Sequence, residues 1–185
     1  DIVSNSEQAA VVISGTAETK DNQPVTLTIT GPITTISATP TVMDSVWTHT
    51  ENISGMADGT ITVTADVFDI AGNAATRVNP NPRPVEKDTD PPLIEIGVIE
   101  DDDLVSNSEQ AAVVISGTST AEDGRIVTLL ITDGSTPPDS ITTNPTVTLG
   151  VWSYTVNMSL WADDPITITA DVFDKAGNPA AQATK

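Results

Sequence analysis

The chain repeats itself almost word for word. Residues 1–16, DIVSNSEQAAVVISGT, return at 103–118 with a single change, Leu104 in place of Ile2. Residues 61–73, ITVTADVFDIAGN, return at 166–178 as ITITADVFDKAGN, changed only where Ile168 replaces Val63 and Lys175 replaces Ile70. A self-similarity of about one hundred residues is the size of a whole domain, not of a solenoid turn. Whatever one copy folds into, the other must fold into too. The chain reads as a cut from a tandem array, and the question is what a string of such domains is for.

A length of 185 residues suits two domains. We place them at 1–88, starting in mid-repeat, and 89–185, joined by an acidic, proline-rich linker over about 78–92 (VNPNPRPVEKDTDPP). Proline there blocks helix and makes the segment extended and stiff. The net charge is −19, from 26 acids against 7 bases. Such a surface repels nucleic acid and anionic lipid, whose phosphates are bound by Lys and Arg, and it attracts cations. Hydrophobic residues make up 38% and fall in patterned Val, Ile and Thr runs, which argues for folded domains and against disorder. Cysteine is absent. The protein is then either held in a reducing compartment or exported with some other staple. No run of 18 apolar residues occurs, so no membrane insertion is expected. No signal peptide is visible, which in a cut from an array says nothing about export.

The strand signals are short and regular. AVVISGT (10–16 and 112–118), VTLTIT (25–30), IVTLLIT (126–132), VWTHTENI (46–53), VWSYTVNM (151–158), ITVTADVF (61–68) and ITITADVF (166–173) alternate or are β-rich. Asp58-Gly59 and Asp123-Gly124 are hairpin signals. No apolar stripe recurs at helical period. The fold class is therefore all-β, two tandem antiparallel β-sandwich domains. Trp152, Tyr154, Val156 and Met158 share one face of their strand and read as core. His49 aligns with Tyr154, which makes it a structural substitute and not a catalyst. Trp161 aligns with Met56 beside a turn. The strand-like segment 93–100 precedes the second copy but has no counterpart before the first. Either the first copy lacks this strand or its core can do without it, and an unpaired edge would then face solvent.

The informative acids lie at the ends of the copies. Glu86, Asp88 and Asp90 fall in the linker, followed by Glu100, Asp101, Asp102, Asp103 and Glu109. At the other end of each copy stands the loop DxAGN, Asp69 to Asn73 and Asp174 to Asn178. If the domains are joined end to end, the first such loop is expected near the linker and the DDD turn. Two like charges about 4 Å apart repel by roughly 1 kcal/mol in water and by several times more near a protein surface. Crowded carboxylates must therefore spread out, take up protons, or bind metal. Ca2+ takes six to eight oxygens in flexible geometry and suits such donors. Zinc prefers His or Cys, and magnesium seldom uses an all-protein cage. The plain alternative is an acidic, solvated linker. DxDxDG does not occur, so this is no EF-hand.

The frame DTDPP, strand, DDDLVSNSEQAAVVISGT, VW, TADVFDxAGN resembles the bacterial Ig-like repeats of giant adhesins. Among these are the extender repeats of repeats-in-toxin adhesins of Gram-negative bacteria. The resemblance covers nearly the whole chain; its ends are specific and its middle is generic. It implies Ig-like sandwiches in an elongated array, held rigid by calcium at the domain junctions. It further implies a stalk that projects a distal ligand-binding region from the cell. Carried onto this chain it implies ligands from Asp69 and Asn73, Asp88 and Asp90, Asp101, Asp102 and Asp103, and Glu109. By repetition Asp1 and Glu7 would serve a site at the front of the first copy, and Asp174 with Asn178 one at the back of the second. Ser106 stands where relatives often have Asn; Asn107 takes over or the contact is lost. The implied location is extracellular, on the bacterial surface, anchored through other regions. The implied partners are neighbouring repeats of the same chain, and the fragment itself is a monomer. The rival reading is an Ig-like module that binds a surface glycan or protein. A sugar site would want clustered aromatics, which are only 3% of the chain. An enzyme is not expected: there is a single His, no Cys, and neither G-x-S-x-G nor a phosphate-binding loop.

Overall fold

Alternating Val, Ile and Thr favour a pleated, half-buried backbone, and strands are what the chain forms. The computed structural model describes residues 1–78, 81–135 and 137–185. It divides into two units, Asp1–Thr89 and Asp90–Lys185. The all-β expectation is met. Among the described residues no helix is long and apolar enough to cross a membrane, which says nothing of barrels that cross with strands.

Unit 1 holds β1 (Ile2–Val3), β2 (Val11–Thr16), β3 (Val25–Thr30), β4 (Thr35–Ala38), β5 (Val46–Glu51), β6 (Gly59–Val67) and β7 (Arg83–Lys87). One sheet runs β1-β7-β6-β3-β4 and the other is β2-β5. Unit 2 holds β8 (Ile94–Ile96), β9 (Val113–Ser119), β10 (Val127–Asp133), β11 (Ser140–Thr143), β12 (Val151–Val156), β13 (Ile166–Val172) and β14 (Ala183–Thr184). Its sheets run β11-β10-β13-β14 and β12-β9-β8. Neighbours pair antiparallel except β1 with β7, which run parallel.

The cores follow from the period of two. Val25, Leu27 and Ile29 point inward from β3, and Val127, Leu129 and Ile131 from β10. The intervening threonines face outward or lie half-buried. Burying each of these large side chains contributes about 1.5–3 kcal/mol. Trp47 and Trp152 are buried over glycines of the paired strand. A Cβ at Gly15 would come 2.7 Å from the Trp47 ring, and one at Gly117 would come 2.6 Å from that of Trp152. Only glycine lets the ring lie flat on the strand. Trp152, Val156 and Met158 are buried and Tyr154 is half-buried, so that face is core as expected. His49 is half-buried, with its ring Nε2 and Glu51 Oε2 2.9 Å apart.

Two findings settle or amend the segment boundaries. First, β8 is real and pairs with β9, Ile94 opposite Ser119. Unit 1 does without a counterpart: among the described residues β2 pairs with β5 alone. Val11 and Ile13 are accordingly half-buried, whereas Val113 and Ile115 are fully buried. Second, the proline-rich stretch expected to be wholly linker contains β7, a full member of the unit 1 sheet. Asn79 and Pro80 of that stretch lie outside the described residues. Pro84 sits opposite Thr62. The amides that bond the β1 segment belong to Glu86 and to Asp88 just past β7, so no ladder bond needs the donor that Pro84 lacks.

Candidate metal-binding loops

Each DxAGN loop closes a strand on itself. Past β6, Phe68 bridges Ala74; past β13, Phe173 bridges Pro179. The turn needs a left-handed residue, supplied by Gly72 (φ +86°) and Gly177 (φ +93°). The aspartate then folds back over the loop. Asn73 donates its backbone N–H to Asp69 Oδ1 (2.8 Å) and its side-chain amide to Oδ2 (2.9 Å). Asn178 does the same to Asp174, at 2.8 and 2.9 Å. The Asn73 side-chain amide, then its backbone N–H, holds the Asp69 carboxyl below the usual aspartate range. The two loops differ in exposure. Asp69 and Asn73 are exposed, but Asp174 and Asn178 are 4% and 2% exposed. In unit 2 the loop is tied to a neighbouring turn: Lys175 N–H donates to Glu122 Oε2 (2.9 Å) and Arg125 Nε donates to the Phe173 carbonyl (2.8 Å).

The SNSEQ segments form the second feature. Glu7 accepts from the Ser4 N–H (2.9 Å) and the Ser4 hydroxyl (2.8 Å), and the backbone bond, then the hydroxyl, lowers its pKa. Glu109 accepts from the Ser106 N–H (2.8 Å) and is likewise lowered by Ser106. Asn107 does not stand free for a metal here: its Oδ1 accepts from Gln110 Nε2 (2.6 Å).

The acidic turn before β9 is built from left-handed residues, Glu100 (φ 45°), Asp101 (62°) and Asp103 (64°). Aspartate tolerates that region because its side chain bonds the nearby backbone. Asp103 Oδ1 accepts from the Ile99 N–H (2.9 Å) and lies 2.7 Å from Lys185 Nζ. Ile99 first, then Lys185, depresses its pKa. Asp102 Oδ1 accepts from Leu104 N–H (3.0 Å), and Glu100 Oε1 accepts from Val114 N–H (2.7 Å). At the front of unit 1, Asp1 pairs with Arg83. Asp88 follows β7, with its N–H on the Val3 carbonyl (3.0 Å), and Asp90 is exposed at the start of unit 2.

Within each unit the expected ligands fall on separate loops, and local donors hold Glu7, Asp69, Asp102, Asp103, Glu109 and Asp174. Among the described residues no three His, Cys, Asp or Glu side chains converge as a metal cage. The donor chemistry fits a hard cation, since it is oxygen throughout. Asp1 and Asp103 already carry cationic partners, a pairing the sequence did not reveal. Sequence reasoning also passed over Asp58, read only as a turn residue. Asp58 Oδ1 takes Lys87 Nζ at 2.5 Å, and Oδ2 takes the Thr89 N–H and hydroxyl, each at 2.8 Å. The available signal was the repeat itself, because Asp58 returns as Asp163. Asp133 was missed as well. It is 6% exposed, and its Oδ1 accepts from Ser135 N–H (3.2 Å), the Ser135 hydroxyl (2.7 Å) and Asp139 N–H (2.9 Å).

The described residues thus form an all-β protein of two units, each with the same pair of repeated end loops. No protein-family model matches the chain, and no curated protein does. Solved structures do. The chain is similar to a Ca2+-stabilized adhesin that helps an Antarctic bacterium reach out and bind ice, at 28% identity and a TM-score of 0.53, over 100% of this chain and 45% of that one. It is similar to a 1.5-MDa bacterial ice-binding adhesin studied for host cell surface retention, at 25% identity and a TM-score of 0.50, over 100% of this chain and 58% of that one. A bacterial immunoglobulin-like domain from the M. primoryensis ice-binding adhesin matches at 32% identity and a TM-score of 0.36, over 50% of this chain and 88% of that one. The chain spans about half the length of the first two. The resemblance to Ig-like repeats of large bacterial adhesins, read from the sequence, is borne out.

Proposed function

We propose that this chain is a calcium-rigidified extender segment of a large bacterial surface adhesin, holding a distal binding region away from the cell. The observation that carries the reading is the near-verbatim return of both ends of the repeat. A binding or catalytic site needs to be made once; a spacer is made by copying. Likeness to a Ca2+-stabilized adhesin supports it. Adhesin repeats are structural elements, and we assign no catalytic residue.

In this reading Asp69 with Asn73, Asp88, Asp90, Asp101, Asp102, Asp103 and Glu109 hold calcium, with Asp1 and Glu7 at the front and Asp174 with Asn178 at the back. When bound, the ion supplies positive charge and six to eight coordination positions for oxygen. The chain does the rest. The DxAGN turns present carboxylate and amide oxygens on rigid loops. The left-handed acidic turn holds three successive aspartates in a short span. Without a counter-charge these acids repel, and successive repeats flex. Partners are neighbouring repeats of the same chain, the fragment is a monomer, and its setting is the outside of the cell. Extracellular sites of this kind bind with Kd of about 10⁻⁴ to 10⁻³ M. At 100-fold excess over Kd, one ion stabilises the fold by about 2.7 kcal/mol.

Small-angle scattering with calcium and with chelator tests the proposal. The expected result is a narrow, elongated distance distribution that broadens when calcium is stripped, together with a lower unfolding midpoint. Identical curves and identical midpoints would remove calcium, and the rigid-stalk function with it.

A further inference from the structure

Between the two verbatim blocks the copies drift apart. After β5 the chain reads NISGMAD (52–58), and after β12 it reads NMSLWAD (157–163). Ile53 becomes Met158, Gly55 becomes Leu160 and Met56 becomes Trp161, yet Asn52 and Ser54 return as Asn157 and Ser159. Asn-x-Ser, with x not proline, is the acceptor pattern for an asparagine-linked sugar. The pattern stands at these two positions and nowhere else in the sequence; Asn144-Pro145-Thr146 carries the barred proline.

The turn accounts for only part of this pattern. The Ser54 N–H donates to Asn52 Oδ1, and the Ser159 N–H to Asn157 Oδ1, each at 2.9 Å. This is an Asx turn, which an aspartate would close as well. It uses the backbone of the serine and makes no use of the hydroxyl. The middle residue anchors it. Ile53 and Met158 are buried, and their N–H groups donate to the Gln8 and Gln110 carbonyls at 2.9 and 2.7 Å. The asparagine and the serine on either side are exposed in both units. Among the described residues, Asn52 Nδ2, Asn157 Nδ2 and the hydroxyls of Ser54 and Ser159 make no hydrogen bond. By contrast Asn73, Asn81 and Asn178 engage Nδ2 with Asp69, the Ala65 carbonyl and Asp174. Folding thus explains a carbonyl and an N–H at this turn. It leaves over an amide nitrogen and a hydroxyl, two residues apart, in both copies.

We propose that Asn52 and Asn157 are acceptors for an asparagine-linked sugar, one per repeat, transferred by an enzyme that reads Asn-x-Ser. The donor is a nucleoside-diphosphate sugar. Asn Nδ2 attacks the anomeric carbon, the bond from that carbon to the phosphate oxygen breaks, and the nucleoside diphosphate leaves with the electron pair. The amide proton passes to a base of the transferase, and nothing is oxidised or reduced. The fold admits the product. The sugar replaces one hydrogen of the amide and leaves Oδ1 on the serine N–H, so the Asx turn survives. Both asparagines lie outside the cores, so a bulky, hydrated group displaces no packed side chain. The buried Ile53 and Met158 hold the acceptor turn in place while its two reactive groups face water. The proposal requires no calcium and stands apart from the extender reading.

The test incubates the folded chain with a soluble Asn-x-Ser glycosyltransferase and a nucleoside-diphosphate hexose, then locates the sugar by intact mass and peptide mapping. The expected result is one hexose on Asn52, one on Asn157 and none on Asn144, which is also exposed but precedes proline. Ser54→Ala is expected to abolish the sugar on Asn52 alone, and Ser54→Thr to retain it. Ser159→Ala is expected to do the same at Asn157. Alanine keeps the N–H that closes the turn, so the urea midpoints of both variants are expected to match wild type, which separates loss of the acceptor from loss of the fold. Mapping the protein taken from the cells that make it is expected to show the same two sites. A folded chain without sugar on Asn52 and Asn157 overturns the proposal, and so does a native chain that carries none. Sugar on Asn52 despite Ser54→Ala, or sugar on Asn144, overturns it as well.

Discussion

Asp58→Ala isolates the most demanding contact in unit 1. It strips the counter-charge from Lys87, whose side chain is 3% exposed, and two hydrogen bonds from Thr89. Removing one member of a fully buried pair costs about 3–5 kcal/mol. Asp58 is itself 29% exposed, so water reaches one side of the pair and the expected loss is nearer 2–4 kcal/mol. A domain of this size has only about 5–15 kcal/mol to lose. Native-state amide exchange reads each unit separately, on β6 for unit 1 and β13 for unit 2. Exchange in β6 is expected to accelerate about 30- to 1000-fold, since 1.4 kcal/mol is tenfold. Asp163→Ala, the same change at the repeated position, is expected to move β13 by less than about threefold, because surface substitutions stay within about 0.5 kcal/mol. Adding Lys87→Met to Asp58→Ala is expected to recover part of the loss, since an apolar side chain leaves no buried charge. Acid supplies a second check. Burial opposes ionisation of Asp58, but the bonds from Lys87 and Thr89 outweigh it and hold its pKa below the ordinary value. A folded pKa below the unfolded one gives stability that is complete above the unfolded value and fades as pH falls through the folded one. The gap between wild type and Asp58→Ala is therefore full at neutral pH and closes below about pH 4. Equal responses to Asp58→Ala and Asp163→Ala, or a gap indifferent to pH, would refute the reasoning.

Three further outcomes follow from the packing. Gly15→Ala crowds only Trp47 and is expected to cost about 1–3 kcal/mol in urea unfolding. Gly117→Ala also sets a Cβ 1.9 Å from the Glu95 carbonyl, so it is expected to cost more and to unprotect the amides of β8 in exchange measurements. Leu27→Ala and Leu129→Ala remove corresponding, fully buried side chains and are each expected to cost about 2–5 kcal/mol, measured by urea midpoints of the separate transitions. Arg77→Ala breaks an ion pair with Asp66 that is largely open to water, and calorimetry is expected to register less than about 1 kcal/mol.

What could be read from the residues was what depends on near neighbours. The inward face of β3 and β10 is written in a period of two. The end loops are written in DxAGN, where one residue bonds another four positions on. What could not be read depends on distant chain. β7 lies in a segment whose prolines look like linker, and it is a strand because β6 and β1 flank it. Leu104–Val105 repeats the residues of β1 yet forms no strand among the described residues. Asp69 and Asp174 head the same pentapeptide fold, yet one is exposed and the other buried, since only the second is tied to the Glu122–Arg125 turn. The acids listed themselves in the sequence by type alone; that Asp1 and Asp103 were already paired with Arg83 and Lys185 required the register of whole sheets.

The verbatim repeat also sets a folding hazard. β2 and β9 begin with the same VVISGT, so β5 meets no side-chain mismatch if it docks on the wrong one. The chain from β5 to β9 is about twice as long as that from β2 to β5. Doubling a loop costs only about 0.6 kcal/mol, so chain length barely discriminates between them. Refolding the whole chain at once invites exchange of strands between repeats. Emergence from one end, with the first repeat closed before the second appears, avoids it.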